Sequence, residues 1–237
     1  MHIGILGYGK MGRVIEKLAL ERGHKIPLII DKDNQHLFEE YGGQLDATIE
    51  FTTPKTAVTN IKQSIDKGIP IIVGTTGWLG QLEEIKDYVA GHNGTLFYTS
   101  NFSLGVNIFF KLNKWLADTM DKYAAYQVRL DEVHHVHKED KPSGTALTLA
   151  ESIIDKIARY DGWSLDTADK KNKLPLFSHR KDEVAGTHSV SYQSGIDELT
   201  IQHTAYDRTG FALGAIEVAE WIKGKKGVFT MDDFLNF

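Results

Sequence analysis

Cysteine does not occur anywhere in the 237 residues, and that absence removes several kinds of chemistry at once. A disulfide framework, a thiolate metal site and a cysteine nucleophile are all excluded, and with them the dehydrogenases that work through a thioester. Long apolar runs are lacking too. None approaches the ~18 residues that cross a bilayer, and the first apolar run begins at His2-Ile3 with neither a charged n-region nor a cleavage-like site. The expectation is a cytoplasmic protein with no membrane partner. Positive charge is not in surplus: the formal net charge is −5 and the isoelectric point is near 6.1. A phosphate backbone would find no basic footprint, so no nucleic-acid partner is expected. An anionic small molecule would need a local basic cluster. What remains is ordinary for a globular chain, 41% hydrophobic and 25% charged, without repeats or low-complexity segments. The length suits two modest domains or one with a large insertion.

A short apolar run at residues 3–6 breaks into Gly7-Tyr8-Gly9-Lys10-Met11-Gly12. Met11, Val14, Ile15 and Leu18 then recur at helical spacing, and Gly23 supplies a stop. A second strand at 26–30 ends in Asp31-Lys32, and Pro27 places it at or near a sheet edge. The polar stretch before the next strand, 47–51, is too short for a full helix-plus-strand crossover, which predicts a sheet trimmed on that side. From Pro54 the pattern alternates: helix 54–67, strand 69–73, helix 79–90, strand 95–98. Such alternation is the grammar of a doubly wound, Rossmann-like parallel sheet in an α/β protein. Ligands in these sheets lie beyond the carboxyl ends of the strands. The turns Gly74-Thr75-Thr76-Gly77 and Thr99-Ser100-Asn101-Phe102 should therefore open on the same crevice as the glycine turn.

Past Asn101 the pattern changes to a helix at 106–120, a long strand at 125–134, a helix at 143–160, a loop rich in Asp and Lys, and strands at 188–193 and 198–204. Strands without intervening helices indicate a second, α+β domain with a mixed or antiparallel sheet. The expected division is a dinucleotide-binding domain of residues 1–103 with 212–237, and a domain of residues 104–211. The helix at 212–223 and the tail at 232–237 return to the first. Glycine turns after Asn101 and near Gly210 are candidate hinges or plain loops.

The glycine motif alone is a weak signal, but here it follows a strand, opens a helix, and is trailed nineteen residues later by Asp31. Helix N-terminal amides suit a pyrophosphate, and Asp31 suits the ribose hydroxyl. Met11 reads as core. Lys32 could meet a 2′-phosphate or be a solvated surface lysine, so both NADH and NADPH fit. The second feature is the segment Glu132-Val133-His134-His135-Val136-His137-Lys138, continuing to Ala146. Histidine can exchange protons near neutral pH, with Lys138 as a protonated donor. Should His134 and His135 end a strand, they face opposite sides, and both can point into one cleft only where the strand is already breaking into loop; otherwise at least one is structural. A metal could take His134, His135 or His137 with Glu132 or Asp140, but the HExxH spacing is missing and no metal is assigned. The remaining alternative is a satisfied surface cluster. Ser143 then reads as a helix cap, with Ala150, Ile153, Ile154 and Ile157 as the buried stripe. Gly144 in the first turn leaves backbone N–H groups that, with nearby hydroxyls, suit a carboxylate and hence a dianionic substrate.

Together these segments resemble the 4-hydroxy-tetrahydrodipicolinate reductase family, also called the dihydrodipicolinate reductases, at motif level along nearly the whole chain. The match comprises the glycine turn at 7–12, the GTTG turn at 74–77, NFSLGVN at 101–107, and the pattern running from Glu132 to Ala146, which is highly specific. The resemblance implies NADH- or NADPH-dependent reduction of a small dicarboxylate ring in the diaminopimelate route to lysine, by a homotetramer built through the second domain. It implies that His134 is the proton donor/acceptor and Lys138 a proton donor. Substrate binding would fall on His135, Ser143, Gly144 and Thr145. Cofactor contacts would fall on Gly7, Tyr8, Gly9, Lys10, Met11, Gly12, Asp31, Lys32, Gly74, Thr75, Thr76, Thr99, Ser100, Asn101 and Phe102. Arg208 is a candidate charge contact to substrate or a surface salt bridge. The chain departs from longer members in the short segment between Asp31 and Asp46, and it carries Glu50 where relatives often show Asp. Two rivals stand beside this reading: another two-domain dehydrogenase of a small acid, and a catalytically idle nucleotide sensor.

Overall fold

The computed structural model describes residues 1–207 and 209–236; Arg208, the candidate charge contact, lies outside them. The chain divides into two compact units, Met1–Leu104 with Thr209–Phe237, and Gly105–Arg208. In chain order the first stretch runs β1 (His2–Leu6), α1 (Lys10–Glu21), β2 (Lys25–Ile30), α2 (His36–Glu40), β3 (Ala47–Glu50), α3 (Pro54–Asp66), β4 (Ile71–Val73), α4 (Leu82–Gly91) and β5 (Thr95–Tyr98). Then follow α5 (Leu104–Met120), β6 (Gln127–His134), α6 (Gly144–Lys156), β7 (Trp163–Leu165), β8 (Leu174–Arg180), β9 (Gly186–Gln193) and β10 (Glu198–Ala205). The chain closes with α7 (Thr209–Trp221), β11 (Gly227–Phe229) and α8 (Met231–Leu235).

In the first unit six parallel strands lie in the order β11-β5-β4-β3-β1-β2. Because side chains alternate along a strand, Ile3, Ile5, Ile49, Ile72 and Phe97 face one layer, where α1 and α7 supply Ile15, Ala19, Ala215 and Ile216. Leu6, Ile71, Val73 and Leu96 face the other, against Ala57, Ile61, Ile85 and Val89 of α3 and α4. A sheet covered on both faces reads as near-continuous apolar strands, and this is the doubly wound architecture expected. The Pro27 strand does lie at the edge, and the β1–β2 register shifts between His2 and Gly4, where the proline would otherwise have to join the ladder. The connection after Asp31 is short, as its length implied, and holds only a single-turn helix. Residues 31–46 accommodate the five-residue α2, anchored by Phe38 at 1% exposure, before β3 pairs with β1.

The second unit holds a mixed five-stranded sheet ordered β10-β9-β6-β8-β7, antiparallel for β10–β9–β6 and parallel for β6–β8–β7. Helices α5 and α6 pack Leu116, Ala117, Leu149 and Ile153 onto Val128, Leu130, Leu176 and Val190. Strands β7 and β8 occupy what reads in sequence as an Asp- and Lys-rich loop. Helix α6 stops four residues short of the expected 160, because Ile157 and Tyr160 turn into the core and the Tyr160 hydroxyl accepts the Val128 N–H at 3.2 Å. Gly105 and Gly210 sit in the first turns of α5 and α7 rather than in turns between elements. Among the described residues no helix is long and apolar enough to cross a membrane.

Candidate active site

Three loops at the carboxyl ends of β1, β3 and β4 interlock in the first unit. A Cβ on Gly7, whose φ is +99°, would stand 2.0 Å from the Phe51 carbonyl oxygen, and one on Gly12 would stand 2.2 Å from the Gly7 carbonyl oxygen. These two glycines are required by the protein's own backbone, the first for the tight turn and the third for helix-to-strand packing. Gly9 is different. It is exposed at the cap of α1, and nothing lies within 4 Å of its would-be Cβ. Open space over backbone amides at a helix start is what a pyrophosphate needs, so the residues present fit a dinucleotide.

Thr52 N–H donates to Thr75 Oγ1 at 2.7 Å, tying the loop after β3 to the GTTG turn, and Gly74 abuts the Phe51 ring. The Thr99 hydroxyl and the Asn101 side chain brace the loop after β5. The Phe102 side chain lies in the core, 5.7 Å from Phe51 and 5.9 Å from Phe97 between ring centres, so only its backbone is offered to a ligand. Met11 also packs against the core. Asp31 and Lys32 end the edge strand exposed.

Beneath these loops Glu50 is fully buried. Its Oε1 accepts from the Thr52 hydroxyl and from Asn60 Nδ2, while Oε2 has no partner. Burial raises its carboxyl above the ordinary range, with the hydrogen bonds from Thr52 and Asn60 opposing. An acid whose folded pKa is raised contributes stability below its unfolded value, near 4.5, that is lost as pH rises through the folded value. Glu50→Gln should therefore gain on the wild type in melting temperature as pH rises from that point. A gap that stays constant with pH would show that Glu50 is ionised throughout.

The second unit's site is a set of lateral rows across one sheet face. Leu130 stands opposite Leu176 on β8 and Val190 on β9, an apolar row. Two residues further on, the same face turns polar: Glu132 stands between Ser178 and His188. His134 follows, opposite Arg180. Because residues i and i+2 share a face, this inward face carries a fully buried carboxylate beside an imidazole, at the carboxyl end of β6.

Glu132 accepts the Ser143 N–H at 3.1 and 3.2 Å and the Ser178 hydroxyl, and has Arg180 Nη1 at 3.6 Å. Its Oε2 lies 3.3 Å from His134 Nδ1 and 3.6 Å from His188 Nε2. Burial alone would raise this carboxyl. The hydrogen-bonding groups of His134, His188, Ser143 and Ser178 outweigh it and hold the acid far below the usual range, so Glu132 is ionised. His188 is pushed down by burial against the pull of Glu132, and its Nε2 shares a hydrogen bond with Ser143 Oγ at 3.0 Å. Ser143 caps α6 by accepting from Ala146 N–H. As at Gly9, nothing lies within 4 Å of a Cβ on Gly144, which leaves the helix start open.

The structure brings together only some of the sequence candidates. His134 is buried in the cluster, whereas His135 lies outside it with a buried, unpartnered Nδ1. His137 is exposed near Glu183. Lys138 Nζ donates to both oxygens of the exposed Asp140, at 2.6 and 2.8 Å, and holds that carboxyl below its ordinary range. Among the described residues the one group arranged as metal ligands is Glu132, His134 and His188, which keeps the Glu132–His134 pair the sequence suggested but adds His188 and omits His135, His137 and Asp140. Arg180 at 3.6 Å already neutralises that carboxylate, which disfavours a divalent cation there. Sequence reading missed Ser178, Arg180 and His188 altogether. Their signal was a polar residue continuing the buried parity of an alternating strand, as in Leu174, Leu176, Ser178, Arg180.

Comparison with known proteins identifies the family. Residues 1–102 match the family model described as dihydrodipicolinate reductase, N-terminus, and residues 105–235 match the one described as dihydrodipicolinate reductase, C-terminus. The chain is 44% identical over its full length to 98% of a 4-hydroxy-tetrahydrodipicolinate reductase of Christiangramia forsetii. It is 34% identical to one of Archaeoglobus fulgidus, with both chains fully covered. A dipicolinate-bound dihydrodipicolinate reductase from a Paenisporosarcina species shares the fold at a TM-score of 0.76, with 19% identity and 97% of each chain covered. With both family models matched in order and full-length relatives above 30% identity, the chain belongs to the dihydrodipicolinate reductase family.

Proposed function

We propose that the protein is an NADH- or NADPH-dependent reductase that converts 4-hydroxy-tetrahydrodipicolinate to tetrahydrodipicolinate in the diaminopimelate route to lysine, acting in the cytoplasm as a homotetramer. The observation that carries this reading is the union of an ionised buried Glu132, His134 beside it and the open start of α6, in a chain that aligns end to end with relatives of that name. The first unit takes the dinucleotide over Gly9. Asp31 suits its ribose hydroxyls and Lys32 a 2′-phosphate, so both nucleotides are substrates in this reading. A bound nicotinamide supplies the hydride that reduces the ring.

The protein's own groups position the ring and move protons. His134 Nδ1 faces Glu132, so Nε2 is the nitrogen left to give and take a proton. Lys138, a second proton donor, is paired with Asp140 until an anionic ligand competes for it. The exposed first turn at Gly144, flanked in sequence by Ser143 and Thr145, receives a carboxylate through backbone N–H groups and side chains, and His135 is assigned to the same substrate. Holding both carboxylates fixes the ring, and such orientation can contribute up to ~7–11 kcal/mol in ideal cases.

The glycine reading separates two variants. Gly12→Ala is expected to lose about 1–3 kcal/mol of stability through overpacking, seen in denaturant unfolding. Gly9→Ala should stay within about 1 kcal/mol of wild type yet bind NADH at least tenfold more weakly by fluorescence titration. The function itself is tested by following NADH and NADPH oxidation with substrate generated in place from pyruvate and aspartate semialdehyde by the preceding synthase. Synthase-dependent oxidation is the expected result. Dinucleotide binding without oxidation would overturn the reading in favour of a sensor.

A further inference from the structure

The loop from His135 to Ser143 carries Lys138 and delivers the start of α6, yet it contains no regular structure. Such a segment needs external anchors to hold one conformation. Three are visible. Ser143 N–H is fixed by Glu132, Lys141 Nζ is paired with Asp166 at 2.7 Å, and the middle is held by a single side chain, Arg180. Its Nε donates to the Lys138 carbonyl at 3.3 Å and its Nη2 to the Asp140 carbonyl at 2.6 Å. Its Nη1 donates to Ser178 Oγ at 3.0 Å and to the His179 carbonyl at 2.8 Å, and stands 3.6 Å from Glu132 Oε1. Every nitrogen of the guanidinium is engaged.

We propose that Arg180 is a positioning residue for the reaction: by tying the Lys138 and Asp140 carbonyls to the ionic row that contains Glu132, it holds the Lys138 loop in register with His134. This rests on the function proposed above. The planar fork of arginine matches the task, because two backbone carbonyls two residues apart and a hydroxyl must be met simultaneously by donors in fixed directions. Lysine would bring one compact ammonium and could satisfy one or two of these acceptors. Arg180 does not touch the atoms assigned to chemistry, so its loss should leave the acid and base present but misaligned.

The test uses the full-length protein as wild type, Arg180→Lys and Arg180→Gln, with two measurements. Hydrogen exchange followed by mass spectrometry should show faster exchange in residues 136–143 of both variants, while β6 and β9 stay protected. Steady-state kinetics should show kcat reduced about tenfold or more in Arg180→Lys and further in Arg180→Gln, with NADH affinity unchanged and partial recovery of kcat on adding guanidinium at tens of millimolar. Should Arg180→Gln fail to fold, Arg180→Lys decides. Unchanged exchange in residues 136–143 overturns the proposal whether or not the wild type turns over. Faster exchange with unchanged kcat also overturns it. A wild type inactive on the synthase product refutes the function instead, and the exchange result then judges the loop anchor alone.

Discussion

Glu132→Ala is expected to lower the stability of the protein by about 3–5 kcal/mol, the cost of breaking a buried ionic cluster by removing one member. The substitution would leave Arg180 and His188 without the carboxylate beside them, and the Ser143 N–H and Ser178 hydroxyl without their acceptor, in a largely buried site. Buried donors left unmet cost their full desolvation. The pH dependence supplies a finer check. The folded pKa of Glu132 lies below the unfolded value near 4.5, so its contribution is fully present above that value and is lost as pH falls toward the folded one. The stability difference between wild type and Glu132→Gln, read from urea midpoints, should be flat from about pH 6 to 8 and shrink on acidification below 4.5. A difference that persists undiminished to about pH 3 would mean the carboxylate is not what the cluster depends on.

The second large effect is on rate. His134→Ala should reduce kcat by about 10²–10⁴, the usual contribution of a positioned general acid or base. NADH affinity should remain within about twofold, because the glycine turn and its neighbours belong to a different compact unit from His134. Steady-state kinetics paired with NADH fluorescence titration measures both quantities. Weakened NADH binding with kcat preserved would assign His134 to the cofactor and leave the proton unaccounted for.

How far the sequence alone leads depends on whether a feature is local. The strand, glycine turn and helix from Ile3 to Glu21 are punctuated by residues that act over three or four positions, and the doubly wound sheet follows from that punctuation. The Ser143 cap and the Ala150, Ile153 and Ile157 stripe are local in the same sense. The ionic row is not. Glu132 meets Ser178 and His188 only because β6 pairs with β8 and β9, and nothing adjacent to Glu132 announces that register. β8 was also disguised: Pro175 argues against a strand, and the Asp- and Lys-rich residues before it read as loop. Its inward residues nevertheless alternate correctly from Leu174 to Arg180. The five-residue α2 fell below the length at which helical periodicity can be recognised.

The return of the chain to its first sheet has a consequence for how the protein is made. Cluster residues Ile3, Ile5, Ile49, Ile72 and Phe97 are covered in part by Ala212, Ala215, Ile216 and Ala219 of α7, and β5 acquires its outer neighbour only when β11 exists. On a ribosome, everything up to Leu104 emerges first and must wait for roughly a hundred further residues, about 5–20 s of synthesis. Throughout that interval the part of one sheet face that α7 will cover, and the edge of β5, have no partner. The intervening unit, being continuous in sequence, can close its own core around α5, α6 and β6 during the wait. Synthesis therefore completes the middle of this chain before its beginning, and the nascent first sheet is the stage most in need of a chaperone.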